Sequence, residues 1–508
     1  MSIYLNRQNR GLIRGASYLL PPIVISILFY YLTKHDVSIL QLVLSVVLLI
    51  VPWSYYLKWK QQREPGLPIF AIISFMYWIY YALSLFWGAR TVSGDDNLGE
   101  MNVPNEMITA ALELAVLGVV AMWLGMRVRL SRRLIPRRVP LLRTDRAHMR
   151  YVRGVLVITG LLGLSEQFAF IAGEGARQML SIVVTLLPIV AFCILFRGYL
   201  RGESSLVDKL LIAGFLMIRF IIGIASGWLG SFASIVVICG AVYLLEKRKV
   251  PRVAVLLVVI FTLFFQVGKK EFRNTYWQGQ TQATKIERVK FWAEISLNKW
   301  GDAFTDPTGL ELNDALNASL SRMSLLTQTA NVIDKTPRVV PYQYGHLYSY
   351  MLYTWVPRFL WPNKPSVSEA NRFYQVAYGL SDEDALEGVA IGVGTMTEAY
   401  ISFGWLGVMG VMFLLGIFYD VYQRTFFGKQ SGGLMFCIGI AMIPQMIGIE
   451  AQMATYLGGI LQQVLLTLIV FLPVIRLSKN SLGQVLVEPA KSGIRSAQPL
   501  AVSSQRIS

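Results

Sequence analysis

Residues 357–374 read PRFLWPNKPSVSEANRFY and set Arg358, Lys364 and Arg372 among prolines and aromatics, in a chain that is 54% hydrophobic and only 15% charged. The planar guanidinium fork makes bidentate bonds to phosphate oxygens, and lysine adds a point charge. The set therefore suits an anion with two phosphates at a membrane surface, with the prolines fixing the turn that presents it. KKEFRNTYW (269–277), which holds Arg273, and also Arg322 and Arg338 add cations to the same long segment. A solvated surface charge is the plain reading of any one of them; their shared neighbourhood argues for the group.

Arg219 lies in LIAGFLMIRFIIGIASG, deep in an apolar run. A cation there costs on the order of 3 kcal/mol to insert, and such residues face a partner, a polar cavity or the bundle interior. Glu113 (ALELAV), Glu166 (GLSEQFAF) and Glu398 (GTMTEAYISFG) are the candidate partners, and the sequence does not choose among them. Glu398 begins the span after the long segment, near the cationic group, where a carboxylate can orient a sugar hydroxyl or accept its proton. An ion pair that holds the segment to the bundle is the competing role. His346, the segment's only histidine, is a reserve base.

Several chemistries lack their signatures. The chain has no G-x-x-x-x-G-K-[ST] loop, no dinucleotide fingerprint and no H-E-x-x-H, which removes support for ATP-driven transport and for a cytoplasmic nucleotide-sugar donor. Cys193, Cys239 and Cys437 sit in apolar blocks and suggest neither disulfides nor a metal site. The adjacent aspartates of TVSGDDNLGE read as a solvated acidic loop.

The elements that must position these residues follow from hydropathy. Apolar blocks near 14–33, 38–57, 67–88, 107–126, 152–173, 178–197, 210–226, 228–245, 252–268, 390–419, 433–450 and 455–475 approach the roughly 20 residues a helix needs to cross a bilayer. They predict an all-α polytopic membrane protein of about twelve transmembrane helices. Its first span is retained rather than cleaved as a signal peptide. The net charge of +17 is first an orientation signal and does not point to nucleic acid. Connections 58–64, 127–153, with ten arginines against Asp145, 246–252 and 424–429 are basic, whereas 89–106 is acidic. One topology fits all of them, with both termini cytoplasmic.

The expected units are an N-terminal bundle of about nine helices (1–268), a large extracytoplasmic segment of short and interfacial helices (269–389), C-terminal transmembrane helices (390–476) and a disordered cytoplasmic tail (477–508). The large segment is too long for an ordinary connection and too aromatic for a flexible linker. Tyrosines and tryptophans in GHLYSYMLYTWVPRFLWP suit the membrane interface.

GHLYSYMLYTWVPRFLWPNKP, followed by IGVGTMTEAYISFGWLGVMGVMFLLG, resembles the bacterial oligosaccharide repeat-unit polymerases of the Wzy type, which make O-antigen or exopolysaccharide. Pro357, Arg358, Trp361, Pro362, Lys364 and Pro365 match their proline-arginine turn, and Glu398, Phe403 and Gly404 match the following phenylalanine-glycine span. The segment around Arg273 looks like the one after the preceding span in that family. The resemblance implies a GT-C-like glycosyltransferase of the bacterial inner membrane, active on its outer face and needing no metal or other cofactor. It would move a growing glycan from undecaprenyl diphosphate to a hydroxyl of a new lipid-linked repeat unit. Arg219, Arg273, Arg358 and Lys364 would hold the diphosphate, with Arg322 and Arg372 as further candidates, and Glu398 would serve the acceptor. Trp355, Trp361 and Tyr374 offer faces for sugars, with interfacial anchoring as the rival role. Membrane lipids, a flippase and a chain-length regulator are the expected partners. An O-antigen ligase with the same donor, and a transporter for the lipid-linked saccharide, remain the alternatives.

Overall fold

The computed structural model describes residues 19–33, 36–62, 66–86, 91–93, 100–128, 138–143, 145–163, 173–227, 229–278, 283–305, 324–354, 356, 360–361, 363–381, 391–428 and 432–479. The N-terminal residues 1–18, the acidic stretch 94–99 and the tail from 480 lie outside them. Within the described residues the apolar blocks fall on helices: α1 (Leu19–Leu32), α2 (Ile39–Gln62), α3 (Ile69–Phe86), α4 (Asn105–Arg127), α5 (Arg146–Leu162), α6 (Gly173–Arg201), α7 (Leu206–Ala225), α8 (Leu229–Lys247) and α9 (Arg252–Val267). The segment that follows holds α10 (Lys269–Arg273), α11 (Lys285–Thr305), α12 (Leu326–Lys335), α13 (His346–Tyr353) and α14 (Glu369–Ala377). The chain ends in α15 (Thr395–Phe427), α16 (Gly433–Ile447), α17 (Met453–Leu457) and α18 (Ile460–Val470).

Among the described residues, six helices are long and apolar enough to cross a membrane: α2, α3, α4, the Leu180–Arg201 part of α6, α15, and α17 with α18 as Met453–Val470. A seventh is the bent pair of α9 and α10, and α1 and α16 are apolar but shorter. The chain is thus an all-α membrane protein. α7 carries Asp208, Lys209 and Arg219, a charge load that its apolar face must offset.

α4 and α15 cross with their backbones in contact at Gly125 and Gly416. At one end of the bundle two short strands, β3 (Arg138–Leu142) and β4 (Ile475–Lys479), pair antiparallel with Leu142 opposite Ile475, joining the arginine-rich connection to the end of α18.

At the other end the chain turns through 60° between α9 and α10. Such a bend strands helix carbonyls, and indole N–H groups of α11 meet them. Trp292 Nε1 donates to Phe265 O at 2.8 Å and Trp300 Nε1 to Phe264 O at 3.2 Å. Phe265, Phe272 and Trp292 form a small core there, separate from the main one. Trp292→Phe keeps the ring and loses the bond, so it is expected to cost about 1 kcal/mol, seen as a lower thermal midpoint of the detergent-solubilised protein. Trp292→Ala, which also opens a cavity, should cost about 3–5 kcal/mol.

Candidate functional site

The site is built where α15 begins. Gly394 N donates to Glu450 O at 2.8 Å and Thr395 N to Ile449 O at 3.1 Å, so the loop 448–452 supplies acceptors for the unpaired first N–H groups of α15. Glu398, one turn further, is fully buried and repays the loop: its Oε2 accepts from Met453 N at 2.5 Å, the first residue of α17. Each helix start thus holds the other. The second carboxylate oxygen, Oε1, is buried without a hydrogen-bond partner among the described residues, and the hydroxyls of Tyr348 and Ser402 face each other beside it. Glu398 and Ser402 are one turn apart and share a face of α15, and Tyr348 lies close enough to feel the carboxylate charge.

α15 is broken at Phe403 and Gly404, where Gly404 takes φ 64°, ψ −150°, backbone that only glycine adopts readily. The carbonyls freed by the break are taken by the segment before α13: Gln343 N donates to Ile401 O and Tyr344 N to Ser402 O, both at 3.0 Å. Phe403 stacks on Tyr348 of α13. The break therefore docks α13 over Glu398.

α3 reaches the site through a π-helical turn, Trp78–Leu83, a wider turn that often marks functional positions. Tyr81 OH bonds Thr329 at 3.0 Å and Thr397 at 3.4 Å, and Tyr77 OH bonds Thr395 at 3.0 Å. Tyr80 OH donates to Glu450 Oε2 at 3.4 Å. Glu450 is exposed, yet chain crowds it on several sides. That crowding raises its carboxyl above the ordinary value, against the Tyr80 hydrogen bond and the positive charge of Lys269, which lower it.

The sequence candidates divide. Lys364 is 7% exposed, and its ammonium donates to the carbonyls of Tyr353 (3.3 Å) and Val356 (2.7 Å) at the end of α13. It ties residue 364 back to residues 353 and 356. Arg372 is exposed and paired with Glu369 at 3.5 Å, and Arg338 pairs with Asp334. His346 is exposed at the start of α13 with its ring against Tyr350. Trp361 is 40% exposed and meets Tyr353 edge to face, while Tyr374 is fully buried. Arg273 is half-buried on α10, one turn from Lys269. Arg322, Arg358, Trp355 and Glu166 lie outside the described residues.

Arg219 stands apart from Glu398. Its helix packs with α5, α6, α8 and α11, whereas α15 packs with α4, α12, α13, α16 and α17. Its guanidinium lies over Phe215, 5.3 Å from the ring centre, beside an apolar groove of about 270 Å³ between α5, α6 and α7. Among the described residues it makes no ion pair, and Glu113, exposed on α4, does not meet it. Sequence reasoning missed Glu450. The only signal was a lone carboxylate in the apolar run MIGIEAQM.

Segments distant in sequence converge at this end. Gln452 Nε2 donates to Val367 O at 3.1 Å, Gln462 Nε2 to Thr354 O at 3.0 Å, and Asn371 Nδ2 to Ile391 O at 2.5 Å. The cationic turn, the approach to α15 and the Glu450 loop are thereby tied together. Among the described residues no group of three or more His, Cys, Asp or Glu is placed to hold a metal.

Fold and site define a multi-pass, all-α membrane protein with a polar site at one end of its bundle. Residues 69–443 match a family described as Domain of unknown function (DUF8712), and the chain belongs to that family. No curated protein matches the chain. No solved structure matches it.

Proposed function

We propose that this protein polymerises lipid-linked oligosaccharide repeat units, moving the growing glycan from its polyprenyl diphosphate to a hydroxyl of the incoming unit. One observation carries the reading: Lys269 of α10, the Glu450 and Glu398 carboxylates and a loop tied to Val367, three residues past Lys364, meet at one end of a membrane bundle. The leaving group is a diphosphate, so catalysis needs fixed positive charge where phosphate charge develops, and a carboxylate for the attacking hydroxyl. Arg273 and Arg358 supply the charge, and Lys364 fixes the turn between them. Arg219, beside its apolar groove, is assigned to the same anion with the lipid tail along α5 and α7. The reading includes about twelve membrane helices in a GT-C-like arrangement, an inner-membrane location, cytoplasmic termini, and the site on the outer face.

Arg358→Ala in the native host is expected to abolish the glycan ladder on a gel while single lipid-linked units persist and the protein stays in the membrane. An unchanged ladder would overturn the reading. Single units missing from the outer face would point to transport instead.

A further inference from the structure

We propose that Glu450, not Glu398, is the carboxylate that takes the proton of the attacking hydroxyl, and that Glu398 is a positioning residue for it. The inference deepens the polymerase reading and rests on it.

Accessibility separates the two groups. Glu398 is fully buried beneath α13, and one of its oxygens is committed to Met453 N. A sugar reaches it only if α13 leaves the break in α15. Glu450 is open to solvent and three residues before Met453, so the bond from Glu398 fixes the far end of its loop. Gly394 N fixes the Glu450 carbonyl itself. Gly392 lets the chain pass against it: a Cβ there would lie 2.9 Å from Glu450 O.

The groups facing the Glu450 side chain suit a base that works as an anion. Tyr80 from α3 donates to Oε2, and Lys269 from α10 is near enough for its charge to favour the ionised form. From the approach to α15, residues 391–394 are IGVG and carry no titratable side chain. Gln452 of the same loop is turned to Val367, the segment that bears Arg358 and Lys364. A hydroxyl at Glu450 is therefore close to the chain at Val367, three residues past Lys364. In the step, the acceptor oxygen bonds the anomeric carbon as its proton passes to Glu450. The bond from that carbon to the diphosphate breaks, and the lipid diphosphate leaves with the electron pair.

The test uses right-side-out membrane vesicles of the native host, charged with its own lipid-linked saccharide, with chain growth followed as a function of external pH. Glu450→Gln is expected to slow growth by roughly a hundredfold or more at every pH, with protein level unchanged. Tyr80→Phe removes a bond that lowers the carboxyl pKa. A base must be ionised, so activity falls as pH drops through that pKa, and in Tyr80→Phe the acid limb should move to higher pH. Growth within a few-fold of wild type in Glu450→Gln, with Arg358→Ala inactive, overturns this inference and leaves the polymerase reading standing. Loss in Glu450→Gln with an unmoved acid limb in Tyr80→Phe makes Glu450 structural and also overturns it. Normal growth in both Glu450→Gln and Arg358→Ala sinks the polymerase reading itself.

Discussion

Leucine at Gly416 or at Gly125 is expected to leave little folded protein in the membrane. A Cβ on Gly125 would lie 2.0 Å from Phe413 O, and one on Gly416 would lie 2.0 Å from Met122 O. Both obstacles are backbone, and no rotamer change relieves them. The two Cα atoms serve as each other's spacers, as small residues do where membrane helices pack without a hydrophobic drive between them. Separating α4 and α15 by the width of a side chain would also pull Thr395 and Thr397 from the tyrosines of α3, because α15 carries both. The loss should exceed the roughly 1–3 kcal/mol typical of overpacking. Size-exclusion chromatography of detergent extracts checks it: the leucine variants should aggregate. By contrast Gly410→Leu, on the same helix with nothing within 4 Å of its Cβ, should elute as wild type. Equal behaviour of the three would show that the α4–α15 crossing is not a close one.

Glu398 gives the second large effect, and its two variants should part. Glu398→Ala leaves Met453 N buried without its acceptor and opens a cavity under Tyr348, a loss on the order of 3 kcal/mol. The loop with Glu450 is then released at one end, so chain growth should fail together with stability. Glu398→Gln keeps an oxygen for Met453 N and offers its amide hydrogens to the neighbouring Tyr348 and Ser402 hydroxyls, whose oxygens can still accept. It should retain most thermal stability and most chain growth. Inactivity of the glutamine variant at full stability would give Glu398 a chemical part and contradict its assignment as a support.

Much of this was legible along the chain. A helix in a membrane must satisfy its own backbone, so each apolar run specifies helix without help from its neighbours, and among the described residues the apolar runs are helical, six of them long enough to cross a membrane. Glu398 stood out because a carboxylate inside an apolar run is costly. The cationic turn at 357–372 stood out because charge of that sign is not required for orientation beyond the inner face. Glu450 was muted for the opposite reason: at the end of an apolar block, in a short connection between two helices, a carboxylate costs little, so its place in MIGIEAQM is a weak mark. For Lys364 the charge is visible in sequence, while the carbonyls it braces are supplied by a helix end that appears only when α13 stops at Tyr353.

The class of protein, its helices and the charged side chains it carries follow from the order of residues alone, because hydropathy and charge act residue by residue. Only the tertiary structure decided which carboxylate is reachable, that α15 breaks to receive Gln343 and Tyr344, and that Arg219 stands beside other helices than Glu398. Those outcomes depend on which unpaired backbone groups meet when helices pack, and such meetings join residues far apart in the chain.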